Sequence, residues 1–599
     1  MKPSVKASAL LISITLILTA LGASTSHGDA NIIDANDGWT LPFTDGLLGS
    51  QNALFSDRNS GEPGFSTLLD HSKQQNGQGD PTCSSTTDAS CELSNFGFNA
   101  QIPVCQNAAD NNCLESFGAT DAQGTNFPGI FKRYYPDKAE NQFDGNPDWN
   151  LPSGGAGSLF SIPGVTGPGG DSYLVSLIMT GSGGKNNTPK VSLNSLTANV
   201  TPIQIQDFSQ AIDGHKSMCL SPGSICNMGW NKWGLNTPGQ FTWGPGAIGD
   251  DTVHNCVDYS WIEKTCAQKE AFPAGYKFYL KARLTLAPTG WLHGRMTDPN
   301  ISLTQQNGIT ELEVNAMPVA VPIVFKSYLW SQMPKELQAL YDPTSGKLLG
   351  HPGAGGFSRT VGVSSDPSQR AWTVGPAPSA DIAIPELNYW LPYVDNTAVA
   401  VPHYWSFRTL SQGELQGANK CFTDPSQLNG IVTTNATTYS AGPPSFDKAA
   451  GNLNYQVAAP HLTNTGEVFH GTYDLVMRSK VARCIYGFTN APIKASISVL
   501  SATGSPEIAT TIVNEKDGWL HLSANGFEFS SPTVAVSLVQ DAPVVVPPPP
   551  PAAPVVNTPV AAKVVTPQKK ASIVCTKGKM KKTISGIAPK CPAGYKVKK

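Results

Sequence analysis

Runs of alternating apolar and polar residues, cut short by Gly, Pro, Asn and Asp, dominate this sequence; "YKFYLKARLTLAPTGWLHGRMTDPNISLT" (residues 276–304) is the clearest. A period of two puts every second side chain on one face of a strand, so such a chain hides its apolar faces by stacking sheets. "SYLVSLIMTG", "KVSLNSLTANVTPIQIQDF" and "ELEVNAMPVAVPIVF" repeat the pattern, the last with prolines that suit edge positions. A second β-rich stretch begins at "LNYQVAAPHLTNTGEVFHGTYDLVMRSKVARCIYGF" and runs to "TVAVSLVQ". The fair helical pattern is "SQMPKELQALYD", where Leu337, Leu340 and Tyr341 share a face behind a Ser/Pro start. With 57 Gly and 48 Pro, turns prevail over long helices.

A chain of 599 residues exceeds what one core serves. "GWLH" occurs at Gly290–His293 and again at Gly518–His521. Upstream, "FPAGYKFYLKARL" from Phe272 aligns without gaps to "FHGTYDLVMRSKV" from Phe469. The expected fold is therefore all-β, with two β-sandwich domains related by duplication and stabilised by disulfides. Trp291 and Trp519 read as core residues of the repeated strand, with His293 and His521 on the opposite, outer face. The expected boundaries are a signal peptide over 1–30, a loop-rich segment over 31–100, a first sandwich over 101–330 and a connecting region with a short helix over 331–415. A second sandwich over 416–540, a disordered Pro/Val/Ala-rich linker over 541–571 and a basic, Cys-closed module over 572–599 complete the chain.

The N-terminus carries Lys2 and Lys6, an apolar run from Ala9 to Leu21 and then small residues, the pattern of a secretory signal peptide. Cleavage is expected near Ala30, with Gly28 at the −3 position, or as early as Gly22. No later run reaches 18 apolar residues free of Pro and charge, so a mature chain without a transmembrane helix is expected, exported to the cell surface or beyond. In that compartment the 12 cysteines read as disulfides. Neighbouring pairs close at least entropic cost: Cys83/Cys91, Cys105/Cys113, Cys219/Cys226, Cys256/Cys266, Cys421/Cys484 and Cys575/Cys591. Cys219, Cys226, Cys256 and Cys266 could equally pair in a nested way.

Charge is divided unevenly. From Ala542 to Lys599 there are eleven Lys, no Arg and no acid, which leaves 30 basic against 44 acidic side chains in the preceding 541 residues. The Pro-rich part of this tail takes up polyproline II, at about 3.1 Å per residue, a semi-rigid spacer. The last segment, "CTKGKMKKTISGIAPKCPAGYK", resembles a C-terminal Cys/Lys signature that recurs on exported proteins of actinobacteria with no assigned activity. The body is similar to proteins of the same group at "IPVCQNAADNNCLES" and "GTYDLVMRSKVARCIYGF". The resemblance implies export and supplies no catalytic residue. On charge alone, Lys577, Lys579, Lys581, Lys582, Lys590, Lys596, Lys598 and Lys599 suit an anionic cell-wall polymer or membrane surface. Nucleic acid is not expected as a partner, since aromatics do not interleave with the lysines.

Chemistry-bearing motifs are sparse. HExxH, GxSxG and phosphate-binding glycine loops are absent, and a non-enzymatic protein without cofactor is expected. A glycan-active hydrolase would need only two carboxylates, for which Asp258, Glu263 and Glu270 are the nearest choice, though solvated loop acids are the commoner reading. Asp144, Asn146 and Asp148 alternate as at the start of an EF-hand loop, but Trp149 stands at the sixth position and Gly155 at the twelfth, so no dedicated metal site is expected. "DANDG" (Asp34 to Gly38) and the loop with Asp250, Asp251 and Asp258 are acid-rich in the same way. Trp230, Trp233, Phe241 and Trp243 crowd a Gly/Asn/Pro stretch between Cys226 and Cys256 and are the candidate sugar-stacking loop, against packing at a sandwich end. Tyr389, Trp390, Tyr393, Tyr404, Trp405 and Phe407 pose the same choice with a tilt toward packing.

Overall fold

The structure, a computed structural model, describes residues 37, 49–57, 66–73, 80–136, 142–207, 240–241, 256–260, 263, 265–341, 372–489, 493–500, 506–507, 510–529, 533–540 and 570–598. The expected signal peptide and nearly all of the Pro-rich linker lie outside them. The chain divides into two compact units, Met1–Asp541 and Ala542–Lys599.

The larger unit is all-β. Its main sheet has 15 strands, ten of them on one path: Thr67–Asp70, Phe96–Gln101, Ser172–Gly183, Val191–Asp207, His403–Thr409, Gly290–Arg295, Leu428–Thr434, His470–Arg478, Trp519–Glu528 and Thr510–Lys516. Neighbours on this path pair antiparallel, except that Gly290–Arg295 lies parallel to Leu428–Thr434. A five-stranded sheet, in the order Thr297–Gln306, Ile309–Met317, Tyr276–Leu284, Cys113–Asp121, Asn126–Pro128, shares one core with the N-terminal part of the path. A six-stranded sheet containing Asn452–Ala458, Thr533–Gln540 and Ile493–Leu500 shares a second core with the C-terminal part.

The two cores meet on opposite faces of the same strands. Leu292, Ile431, Val476 and Trp519 point into the first. Their chain neighbours Trp291, Val432, Leu475, Met477 and Leu520 point into the second. Strands buried on both sides read as continuous apolar runs rather than alternating ones. Two stacked cores are thus present, but they share one sheet. The expected connecting region 331–415 supplies His403–Thr409, which sits in mid-sheet between Val191–Asp207 and Gly290–Arg295. The segment expected to be loop-rich contributes Ser50–Phe55, Thr67–Asp70 and Phe96–Gln101.

The expected duplication is corrected by strand placement. Tyr276–Leu284 belongs to the five-stranded sheet and Gly290–Arg295 to the main one, whereas their counterparts His470–Arg478 and Trp519–Glu528 pair directly. The two copies of "GWLH" therefore occupy non-equivalent positions. His293 is also corrected: it is buried, with 3% exposure, on the same face as Trp291, as a period of two requires. His521 is half-buried.

The chain leaves the main sheet at Met296 and enters the five-stranded one at Thr297. Asp474 secures this corner from the adjacent strand. Its carboxylate accepts from Thr297 Oγ1 (3.1 Å), Asp298 N (3.2 Å), Thr433 Oγ1 (3.1 Å) and Ser523 Oγ. Burial pushes its pKa up, while these donors oppose the shift.

A third, small core joins the three-stranded sheet Val324–Leu329, Ser50–Phe55, Trp372–Val374 to helices α1 (Lys335–Leu340) and α2 (Ala383–Trp390). Helix α1 falls where the sequence pattern placed it and buries Leu337 and Leu340. In α2, Pro385 occupies the first turn, where a missing N–H costs little. Glu386 of α2 is only 2% exposed; Tyr341 donates to it at 2.8 Å, and Trp390 Nε1 donates to the Tyr341 hydroxyl at 2.6 Å. Burial raises the Glu386 pKa to about 7, against a smaller opposing effect of the Tyr341 hydrogen bond. The folded protein thus holds a proton that an unfolded carboxyl, near 4.5, has released. This group's contribution is fully present below about pH 4.5 and is lost as pH rises to about 7, by up to ~3 kcal/mol. Urea midpoints at pH 5 and pH 8 should show the decline, and Glu386→Gln should flatten it and be the more stable protein at pH 8.

Among the described residues, four disulfides join Cys83–Cys91, Cys105–Cys113, Cys421–Cys484 and Cys575–Cys591, the sequential pairing. Cys219 and Cys226 lie outside the described residues. Cys256 and Cys266 lie in the paired strands Cys256–Ser260 and Thr265–Lys269.

Candidate functional site

The smaller unit is built from very little. Ala571–Lys577 and Met580–Gly586 form a hairpin in which Lys577 faces Met580, leaving Gly578 and Lys579 as the turn. Gly578 takes φ +59°, a conformation that glycine adopts at no steric cost. A short third strand, Lys596–Val597, pairs with Cys575 and Thr576. Cys575 is fully buried and bonded to Cys591, 16 residues on. So small a sheet has almost no apolar interior, and the covalent closure stands in for a core.

Its surface is cationic. Lys577, Lys579, Lys581, Lys582, Lys590, Lys596 and Lys598 are exposed, and Lys599 lies outside the described residues. No ion pair to any of these lysines occurs among the described residues, consistent with the lack of acids in residues 542–599. Met580, Ile587 and Val597 are 60%, 68% and 54% exposed, so apolar side chains stand among the charges.

The Trp-rich candidate loop falls almost wholly outside the described residues: Trp230, Trp233 and Trp243 are not among them, and the Phe241 backbone pairs with Asp80. The three hydrolase candidates are scattered in role. Glu263 makes a bidentate pair with Arg133, at 2.6 and 3.0 Å. Asp258 and Glu270 are buried, at 4% and 2% exposure, which corrects the expectation of solvated loop acids. In the "DGNPD" turn, the Asn146 side-chain Oδ1 accepts from Asp148 N at 3.0 Å and caps a short 3-10 turn. Of the "DANDG" acids, Asp37 is bound by His403 through its backbone N (2.6 Å) and Nδ1 (2.9 Å). The one metal-ligand-type grouping among the described residues, Asp70 with Cys83 and Cys91, has its sulfurs in a disulfide and its carboxylate bonded to Ser72 N and Glu92 N.

Two features escaped the sequence. The first is a buried charge cluster at the start of the second core. Arg295 and Asp57 pair with side-chain exposures of 1% and 2%. Arg295 also donates to the carbonyls of Thr434 (2.9 Å) and Ala436 (2.6 Å) and lies 4.7 Å over the ring of Tyr439. His293 stacks on that ring at 3.8 Å, nearly parallel. Burial first, and the Arg295 and Arg408 charges second, hold His293 neutral well below the usual imidazole range. Arg408 grips Glu414 at 2.6 and 2.8 Å; burial pushes the Glu414 pKa up, but Arg408 outweighs it and leaves about 2.

The second feature is a cleft of about 650 Å³ between α2 and the strands Thr438–Tyr439 and Asn452–Ala458, with Tyr439 at its floor. Asp381, Asn388, Tyr389, Ser440 and Gln456 line it. Of the second aromatic cluster, Trp390, Trp405 and Phe407 are buried as the packing reading expects, whereas Tyr389 is 47% exposed at this cleft. No protein-family model matches the sequence, and no curated protein is significantly similar to it.

Proposed function

We propose that the chain is an exported cell-envelope protein with a structural or adhesive role, retained by its C-terminal module on an anionic cell-wall polymer or membrane surface. The carrying observation is the smaller unit itself: a disulfide-closed sheet whose lysines are exposed and unneutralised. A compact cation of this kind attracts polyanions through fields that salt screens within about 8 Å at physiological ionic strength. Disulfides and a signal-like N-terminus support an oxidising, exported setting. Among the described residues, no helix is long and apolar enough to cross a membrane, and attachment through a surface module is in keeping with that.

Washing cells with high salt is the direct test. The full chain should be released as NaCl rises toward 1 M, where the screening length falls to about 3 Å. A chain truncated after residue 541 should appear in the medium without a wash. A truncated chain that stays equally cell-bound would overturn the reading.

A further inference from the structure

We propose that the cleft beside α2 binds a segment of a neutral saccharide chain. Its volume of about 650 Å³ lies within the ~300–1,000 Å³ of small-molecule clefts. Tyr389 is the one aromatic among the large hydrophobic side chains left exposed in the described residues, and it stands at this cleft. A tyrosine ring offers a flat apolar face to the C–H side of a sugar and a hydroxyl to its rim.

The polar groups around it suit hydroxyls. The Asp381 carboxylate and the Gln456 amide have no partner among the described residues, so one offers acceptors and the other both a donor and an acceptor. Ser440 accepts the Gln456 backbone N–H at 3.1 Å and keeps its own proton to donate. Among the described residues no Lys, Arg or His lines the cleft, which disfavours a polyanion there and separates its ligand from that of the basic module. Among the described residues a single carboxylate, Asp381, lines it, whereas Glu386, on the other side of α2, is occupied by Tyr341. Glycoside hydrolysis by the usual route needs two carboxylates flanking the bond, and the proposal is therefore one of binding.

Both walls are fixed before any ligand arrives. Tyr439, at the floor, is held by His293 at 3.8 Å and by Arg295 at 4.7 Å. Helix α2 is tied down through Glu386, Tyr341 and Trp390. A cleft that needs no ordering on binding loses little conformational entropy there.

Titration calorimetry on the full chain with a panel of neutral oligosaccharides, including cellotetraose, chitotetraose and mannotetraose, tests the proposal. At least one should bind saturably, with an affinity that is unchanged by NaCl and by deletion of residues 542–599. Tyr389→Ala should weaken it roughly three- to tenfold, with Tyr389→Phe retaining most of it and neither shifting the melting temperature. Gln456→Ala should weaken it by a smaller factor. Failure of the whole panel to bind at millimolar concentration, or equal binding by Tyr389→Ala, overturns the proposal. Binding lost in Trp230→Ala/Trp233→Ala but kept in Tyr389→Ala overturns it in favour of the Trp-rich loop.

Discussion

Replacing Asp57 by Ala should destabilise the larger unit by about 3–5 kcal/mol, read as a drop in the urea midpoint at unchanged slope. The reason is asymmetric. Arg295 is 1% exposed, so its guanidinium cannot turn to water when its counter-charge goes. It keeps the carbonyls of Thr434 and Ala436 and the face of Tyr439, but these are dipoles and a quadrupole rather than a charge. The double variant Asp57→Ala/Arg295→Met should be less unstable than Asp57→Ala alone, because it removes the stranded charge as well. A double variant no better than the single one would mean that Arg295 acts mainly through its hydrogen bonds.

Trp291→Ala should cost a comparable amount, about 3–5 kcal/mol. The ring is fully buried in the second core, lies edge-on to Phe422 at 5.2 Å and donates through Nε1 to the Phe422 carbonyl at 2.9 Å. Its far edge is housed by Gly430, where a Cβ would come within 2.5 Å of the ring. The pocket is therefore shaped to tryptophan and surrounded by sheet that cannot collapse into the void. Trp291→Phe should fall between the two, at about 1–3 kcal/mol, since it keeps part of the volume but leaves a buried carbonyl without its donor. Differential scanning calorimetry of the three proteins would rank them.

The β class was legible because alternation is local: "YKFYLKARL" shows its buried face without knowledge of its partners, and the structure buries Phe278, Leu280, Ala282 and Leu284. Disulfide pairing was legible for the same reason, as eight residues separate Cys83 from Cys91 and Cys105 from Cys113. Strand partnership was not. Nothing in residues 403–409 reveals that they insert between two strands that both lie over 100 residues earlier, because pairing is chosen by long-range packing. The burial of His293 could have been read from its spacing to Trp291; assigning the two to opposite faces contradicted the period of two. Tyr389 was hidden by its setting in "AIPELNYW", a helix without a side-chain cap at its start and with Pro385 in its first turn. Only the fold separates it from the buried Trp390 beside it.

The one parallel junction of the main path sets an order for folding. Gly290–Arg295 is completed by His403–Thr409 on one side and Leu428–Thr434 on the other, so the N-terminal half carries an open sheet edge until residue 434 has been made. Contacts of such sequence separation delay closure, and an unpaired edge invites association with other chains. A ribosome adding about 5–20 residues per second would expose that edge for several seconds. This topology favours a chain kept unfolded at least until residue 434 has been made, and it makes residues 331–415 a poor place to cut when seeking fragments that fold alone.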